Sequence, residues 1–253
     1  MLLIRPRGPV HSRAVLVVLL LCCLASPARS QTPHYYCPDR PLPELLGDTE
    51  LESATELQLE NKLEGLCSLH RLLHGAILFH AKMDIDADGS PNALIIDPQF
   101  GQLTTSYRYH GFSGQSAHVD AERVPYIVLP EADSENEEFY ARSAIGLGDL
   151  AAVIYRGRME FAFVADLGPP GKIGEGSVAL AQALGHDPFV VRDGQKLVDR
   201  AIPGGVIYIV FPGSRLEGAT PDNVVQLLRE QGKRLFAEIM SKAGTMESRF
   251  PDR

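Results

Sequence analysis

The chain has 253 residues, with 24 Lys and Arg against 32 Asp and Glu, and no tryptophan. A net charge of −8 argues against nucleic acid as the partner, because phosphates demand a basic face. It suits a cationic ligand, whose local concentration an acidic cleft raises, though acidity also serves solubility alone.

The first thirty residues read as an export signal. Arg5, Arg7 and Arg13 precede an apolar run, Ala14 to Ala25, that is too short to span a bilayer. Ala28-Arg29-Ser30 then places small residues for cleavage before Gln31. A lipid anchor on Cys22 or Cys23 fits poorly, since neither follows a small residue. Four of the 24 basic residues and none of the 32 acids lie in this leader, so its removal takes the net charge from −8 to about −12. The expected product is secreted, free of the membrane and monomeric. Of its two cysteines, Cys37 and Cys67, an even pair in an oxidising compartment is expected to bridge. Closing that loop contributes roughly 3–4 kcal/mol in the chain-entropy model.

Residues 31–74 read as an N-terminal extension: proline-rich and extended to Gly47, then helical or partly irregular to His74, with only loosely periodic leucines. From Ala76 the texture is β. Ile77 to Asp86 and Ala93 to Ile96 read as strands joined at Asp88-Gly89. Phe100 to Ala121 is loop-like, Val124 to Leu129 a buried strand, and Glu131 to Tyr140 an acidic surface loop. Leu150 to Tyr155 and Met159 to Val164 form a hairpin around Arg156-Gly157-Arg158. Gly168-Pro169-Pro170-Gly171 must turn. Ser177 caps a short helix, Val178 to Leu184, that stops at Gly185. Val206 to Phe211 is another buried strand. A last helix starts at Thr220-Pro221 and runs to about Lys242, with Val224, Leu227, Leu228, Leu235, Phe236 and Ile239 on its inner face. The main domain is expected over 75–243, with a tail over 244–253. The fold class is mainly β with a few helices, an α+β chain.

The strongest chemical pattern is Asp166 and Glu175 on either side of that Gly-Pro turn. Asp166 ends an apolar strand. Glu175 stands between Gly174 and Gly176, which lack the bulk that would block a sugar ring. Paired carboxyls suit hydrolysis of a glycosidic bond, one donating a proton and the other activating water or attacking directly. A turn cap and a solvated acid are the plainer explanation of the same residues.

The stretch Ala165 to Gly185 (ADLGPPGKIGEGSVALAQALG) resembles the signature of the fungal-type chitosanases, glycoside hydrolase family 75. Lys82 to Ala93, Val124 to Pro130, Leu147 to Tyr155 and Gly204 to Ser214 are similar to the family's other blocks, in the same order. The resemblance spans roughly Ile77 to Ser214. It implies endo-hydrolysis of β-1,4 links in chitosan, a cationic polysaccharide, with inversion, and it places the essential carboxyls on Asp166 and Glu175. The order of a strand, a Gly-Pro turn, an acid and a short helix also resembles a double-psi β-barrel. Family members carry a longer, Trp-containing segment between the positions of Ala93 and Val124. Here an aromatic platform for sugar must come from Tyr107, Tyr109, Phe112 or other residues. The helix dipole behind Glu175 and the burial of Asp166 tilt towards Asp166 as acid and Glu175 as base, an argument too small to assign the roles.

Asp84, Asp86 and Asp88 with Gly89 open like a calcium loop, but Ile95 stands where such a loop needs Glu. No metal is expected. A structural turn and a substrate-binding subsite for the ammonium groups of glucosamine remain the two readings, with Asp84 and Asp86 on one face of a strand. His70 and His74, four apart, lack the glutamate of a zinc-protease motif. Gly174-Glu175-Gly176-Ser177 is not a serine nucleophile elbow. No glycine pattern matches a nucleotide loop and no cofactor is indicated. Two other functions stay open: a non-catalytic carbohydrate-binding protein on the same scaffold, and a hydrolase of another amino-sugar polymer.

Overall fold

The computed structural model describes residues 35–37, 54–134 and 136–247, and the side chains as far as residue 240. The expected leader and the final residues of the tail lie outside that range.

Long apolar runs make the core strands. β1 (Thr55–Glu56) and β2 (Leu66–Arg71) precede β3 (Ile77–Asp86). β4 (Ile127–Pro130), β5 (Leu150–Tyr155), β6 (Arg158–Gly168), β7 (Glu175–Ser177) and β10 (Ile202–Phe211) complete the main sheet. β8 (Phe189–Arg192) and β9 (Gln195–Val198) form a separate hairpin. The main sheet closes on itself. β3, β10, β5 and β6 run antiparallel in sequence of pairing. β6 then pairs parallel with β4, β4 antiparallel with β7, and β7 parallel with β3. The result is a six-stranded barrel with β2 and β1 added outside β3. Closure leaves no free edge among those six strands. The chain is mainly β around a closed barrel, as its sequence indicated.

The alternation along these strands fills two faces. Ile77, Phe79, Ala81, Met83, Ile127, Val164 and Tyr208 belong to one buried cluster. Leu78, Tyr126, Val128, Phe163, Ile209 and Leu228 belong to the other. Among the described residues the α-helices are α1 (Ala93–Ile96), α2 (Glu137–Ser143), α3 (Val178–Ala183) and α4 (Val224–Glu247). Val224, Leu228 and Ile239 of α4 are buried against β5 and β6, the face its 3.6-residue period marks. Phe161 fits against Gly232, where a Cβ would lie 2.4 Å from its ring.

Three expectations change, and one element is added. The stretch before His74 is not helical: residues 66–71 form β2 along β3, and a register shift between Leu66 and Ser68 lets Leu66 and Leu69, three apart, both be buried in one cluster. Ala93 to Ile96 does not return as a strand. Gly89 donates its N–H to the Gln102 carbonyl and Asp88 accepts the Gln102 N–H, so the chain after Gly89 leaves β3 and makes a helical turn. The acidic loop contains α2, anchored by buried Phe139. The β8–β9 hairpin was not anticipated, although Asp193-Gly194 between two apolar runs is its usual turn signal. Among the described residues no helix is long and apolar enough to cross a membrane.

Candidate active site

Val128 is the centre of the site. In the barrel it pairs with Asp166 of β6 on one side and with Glu175 of β7 on the other. In-register neighbours project from the same face of a sheet, so the two carboxyls emerge together, separated by one intervening strand. Two interstrand spacings are about 9–10 Å, which leaves space between the carboxyls for a small molecule. Asp84 of β3 continues the row, opposite Glu175.

The two acids have different surroundings. Asp166 is buried, and its Oδ1 accepts three hydrogen bonds, from Ser106 Oγ (2.6 Å), Ser106 N (2.9 Å) and Leu167 N (2.8 Å). Burial raises its pKa, while these three donors and His118 favour its charged form. Glu175 is partly exposed. Burial is the main cause that pushes it to about 7, with Asp84 and Asp166 adding and Lys82 and Lys172 opposing. The proximity of α3 does not reverse this, because burial and the two neighbouring carboxylates outweigh a six-residue helix whose first turn already binds the Ser177 hydroxyl.

The glycines here have other roles than clearing space for a sugar. A Cβ at Gly174, which has φ +85°, would lie 2.4 Å from the Lys82 carbonyl. One at Gly176 would lie 2.9 Å from Leu180. Both let β7 press against β3 and α3. Gly168 is the glycine that serves Glu175: a Cβ there would stand 3.0 Å from Glu175 Oε2 and 3.2 Å from Val128.

The structure divides Asp84, Asp86 and Asp88. Asp84 forms an ion pair with buried Lys82 and accepts from the Tyr35 hydroxyl at 3.1 Å. Asp86 is buried and accepts from Tyr126 Oη at 3.0 Å and from the Asp88 N–H at 2.8 Å. Asp88 accepts from Gln102 N at 2.7 Å. Asp86 and Asp88 approach Asp166, with one oxygen of each of the three within 4.8 Å of the others. Burial raises Asp86 well above the usual range and Asp88 to about 7. Three buried carboxyls this close do not all ionise. Both oxygens of Asp86, Oδ1 of Asp88 and Oδ1 of Asp166 already accept protein N–H or O–H groups, which competes with the six to eight oxygen ligands that calcium takes.

Tyr109 is buried and Tyr107 packs edge-on against Phe163, so neither offers an open ring face. Phe112 (40 % exposed) and Phe100 (72 %) are open. His70 lies on β2 and His74 in the turn after it, not on one helical face. Cys37 and Cys67 are joined in a disulfide, Cα–Cα 5.4 Å. Ser106, Lys82, Tyr126 and Tyr35 are contributors that sequence reasoning did not single out. Only Lys82 and Tyr126 lay inside recognised blocks.

A closed barrel that holds two carboxyls across one strand has the parts of an acid–base hydrolase. The family model described as fungal chitosanase of glycosyl hydrolase group 75 matches residues 83–245, more than half of the chain. The chain belongs to that family, and is a glycoside hydrolase. No curated protein matches it.

Proposed function

We propose that the chain is an exported, endo-acting chitosanase that inverts the anomeric carbon, with its catalytic unit over 75–243 and Asp166 and Glu175 as the working carboxyls. The observation that carries this is the pairing of both residues with Val128. One strand between them sets a spacing near the range of roughly 6.5–9.5 Å that inversion needs to admit a water, rather than the shorter one of a retaining pair.

The surroundings divide the roles, and against the tilt of the helix-dipole argument. Asp166, with three donors on one oxygen, is suited to remain a carboxylate and take a proton from the attacking water. Glu175, pushed to about 7, is suited to carry a proton to the glycosidic oxygen as the bond to C1 breaks. Water adds to C1 from the opposite face, so its oxygen becomes the new anomeric hydroxyl and its proton passes to Asp166. The acidic balance of the mature chain favours a polymer of glucosamine, whose ammonium groups are cationic.

The test is a panel of soluble chitosan, partly acetylated chitin and peptidoglycan, with proton NMR of the first product formed. Turnover of chitosan with the α-anomer appearing first supports the reading. Turnover confined to another polymer moves the activity to that substrate, and binding without turnover makes the protein a carbohydrate-binding one.

A further inference from the structure

Residues 35–37 precede the family-matched span by more than forty positions, yet they reach the neighbourhood of Glu175. The disulfide ties Cys37 to Cys67 of β2. The Tyr36 N–H donates to the Pro203 carbonyl at 3.1 Å. Gly204 admits this backbone, since a Cβ there would stand 2.1 Å from the Tyr36 carbonyl oxygen. So fixed, Tyr35 donates its hydroxyl to both oxygens of Asp84 at 3.1 Å. Its ring lies 4.6 Å from Lys82 Nζ, a geometry in which the ring's negative face attracts the ammonium.

Lys82 is only 2 % exposed. Its Nζ pairs with Asp84 and donates to the Gly174 carbonyl at 3.3 Å, directly before Glu175. Gly65, φ +88°, leaves the room: a Cβ there would lie 2.5 Å from Lys82 Cε. Asp84 is the register partner of Glu175. A chain of direct contacts therefore runs from the disulfide through Tyr35 to the Lys82–Asp84 pair and on to the Glu175 strand.

We propose that Tyr35, latched by the Cys37–Cys67 disulfide, is a positioning residue for the reaction: it covers the Lys82–Asp84 pair and so holds Glu175 in the water-poor setting its acid role requires. This rests on the chitosanase reading for its consequence in turnover, but not for its effect on Glu175 itself. The charged and titratable groups around Glu175 are Lys82, Asp84 and Asp86 of β3, Asp88 just after it, Asp166 of β6, Lys172 of the turn, and the phenols of Tyr208 on β10 and of Tyr35. Burial is the largest cause of the raised Glu175 value. Opening the Tyr35 side to water therefore lowers it, and the alkaline limb of the pH–rate profile moves down with it. The extension becomes part of the active site, and reduction of one exported disulfide becomes a means of detuning it.

The experiment uses the mature chain and three variants, Tyr35→Ala, Tyr35→Phe and Cys37→Ser. Each is checked for a melting temperature that shows it folded. The Glu175 carboxyl is titrated by carbon-13 NMR, assigned with Glu175→Gln, and kcat/KM on soluble chitosan is followed against pH. Tyr35→Ala and Cys37→Ser should lower the Glu175 midpoint by roughly half a pH unit or more. Tyr35→Phe keeps the ring over Lys82 and should recover most of that shift. An unshifted midpoint in folded Tyr35→Ala overturns the inference. A wild type that cleaves no chitosan sinks the functional reading instead, while the carboxyl titration still decides the role of Tyr35.

Discussion

Ser106→Ala isolates the proposed base, Asp166. The Ser106 hydroxyl gives Asp166 its shortest hydrogen bond, 2.6 Å to Oδ1, and accepts in turn from Leu167 N at 3.2 Å. A hydrogen bond to a charged group contributes about 1.5–3 kcal/mol. Two backbone donors, Ser106 N and Leu167 N, stay on the same oxygen in the variant, which places the loss at the lower end, about 1.5 kcal/mol. At 1.36 kcal/mol per pH unit that is a rise of about one unit in the Asp166 pKa. Fewer donors favour the protonated form, and a base must be ionised to act. The acidic limb of kcat/KM on chitosan should therefore move up by about one unit. Below that limb activity should fall about tenfold, with the plateau little changed. The assay is release of reducing ends across pH, beside thermal melts at each point. An acidic limb that stays in place in a folded Ser106→Ala protein refutes the assignment of Asp166 as base. A limb unchanged on the acidic side but shifted on the alkaline side would exchange the two roles.

Stability should fall as pH rises from about 4.5 to about 7. Glu175 has a folded value near 7 against an ordinary 4.5, so its contribution is complete below the ordinary value and lost as pH passes the folded one, at most about 3 kcal/mol. Denaturant titrations at pH 4.5 and 7.5 check this, and a higher midpoint at the upper pH contradicts it. Gly65→Ala combines a left-handed backbone with a Cβ 2.5 Å from Lys82 and 2.6 Å from the Ile173 carbonyl. It should cost about 2 kcal/mol or more in the same titrations. Gly168→Ala crowds Glu175 without a positive φ, so kcat should drop by roughly tenfold while the melting temperature changes little. Chelation by EDTA should leave the melting temperature within a degree or two, because oxygens of Asp86, Asp88 and Asp166 are already taken by protein N–H and O–H donors.

The parts of the fold that could be read in the sequence are those whose signal is local and apolar. The runs at 127–130, 150–155 and 206–211 announce themselves as strands, and Ser177 with its helix follows from capping rules. β2 was obscured because its two inward leucines are three apart, with Cys67 and Ser68 between them, a spacing a helix also shows. The Asp88-Gly89 turn looked like a hairpin because nothing local reveals that Gln102 holds both residues. The proposed carboxyl pair was drawn from the Gly-Pro turn and the family blocks. What tunes the pair was not. Ser106 meets Asp166 across 60 positions and Tyr35 meets Asp84 across 49. Neither contact joins two barrel strands: Ser106 lies on the loop before β4, and Tyr35 on the segment that the disulfide ties to β2, while barrel closure brings β7 beside β3 and carries Asp84 to Glu175. Burial has the same origin: no neighbour in sequence tells Glu175 that it will sit between two strands.

The most direct test of the central claim compares the mature chain with Asp166→Asn and Glu175→Gln for release of reducing ends from soluble chitosan. The account predicts an active wild type and a loss of at least a hundredfold, roughly the least that removing a proton-transfer group costs, in each folded variant. Near-wild-type turnover in either variant contradicts it.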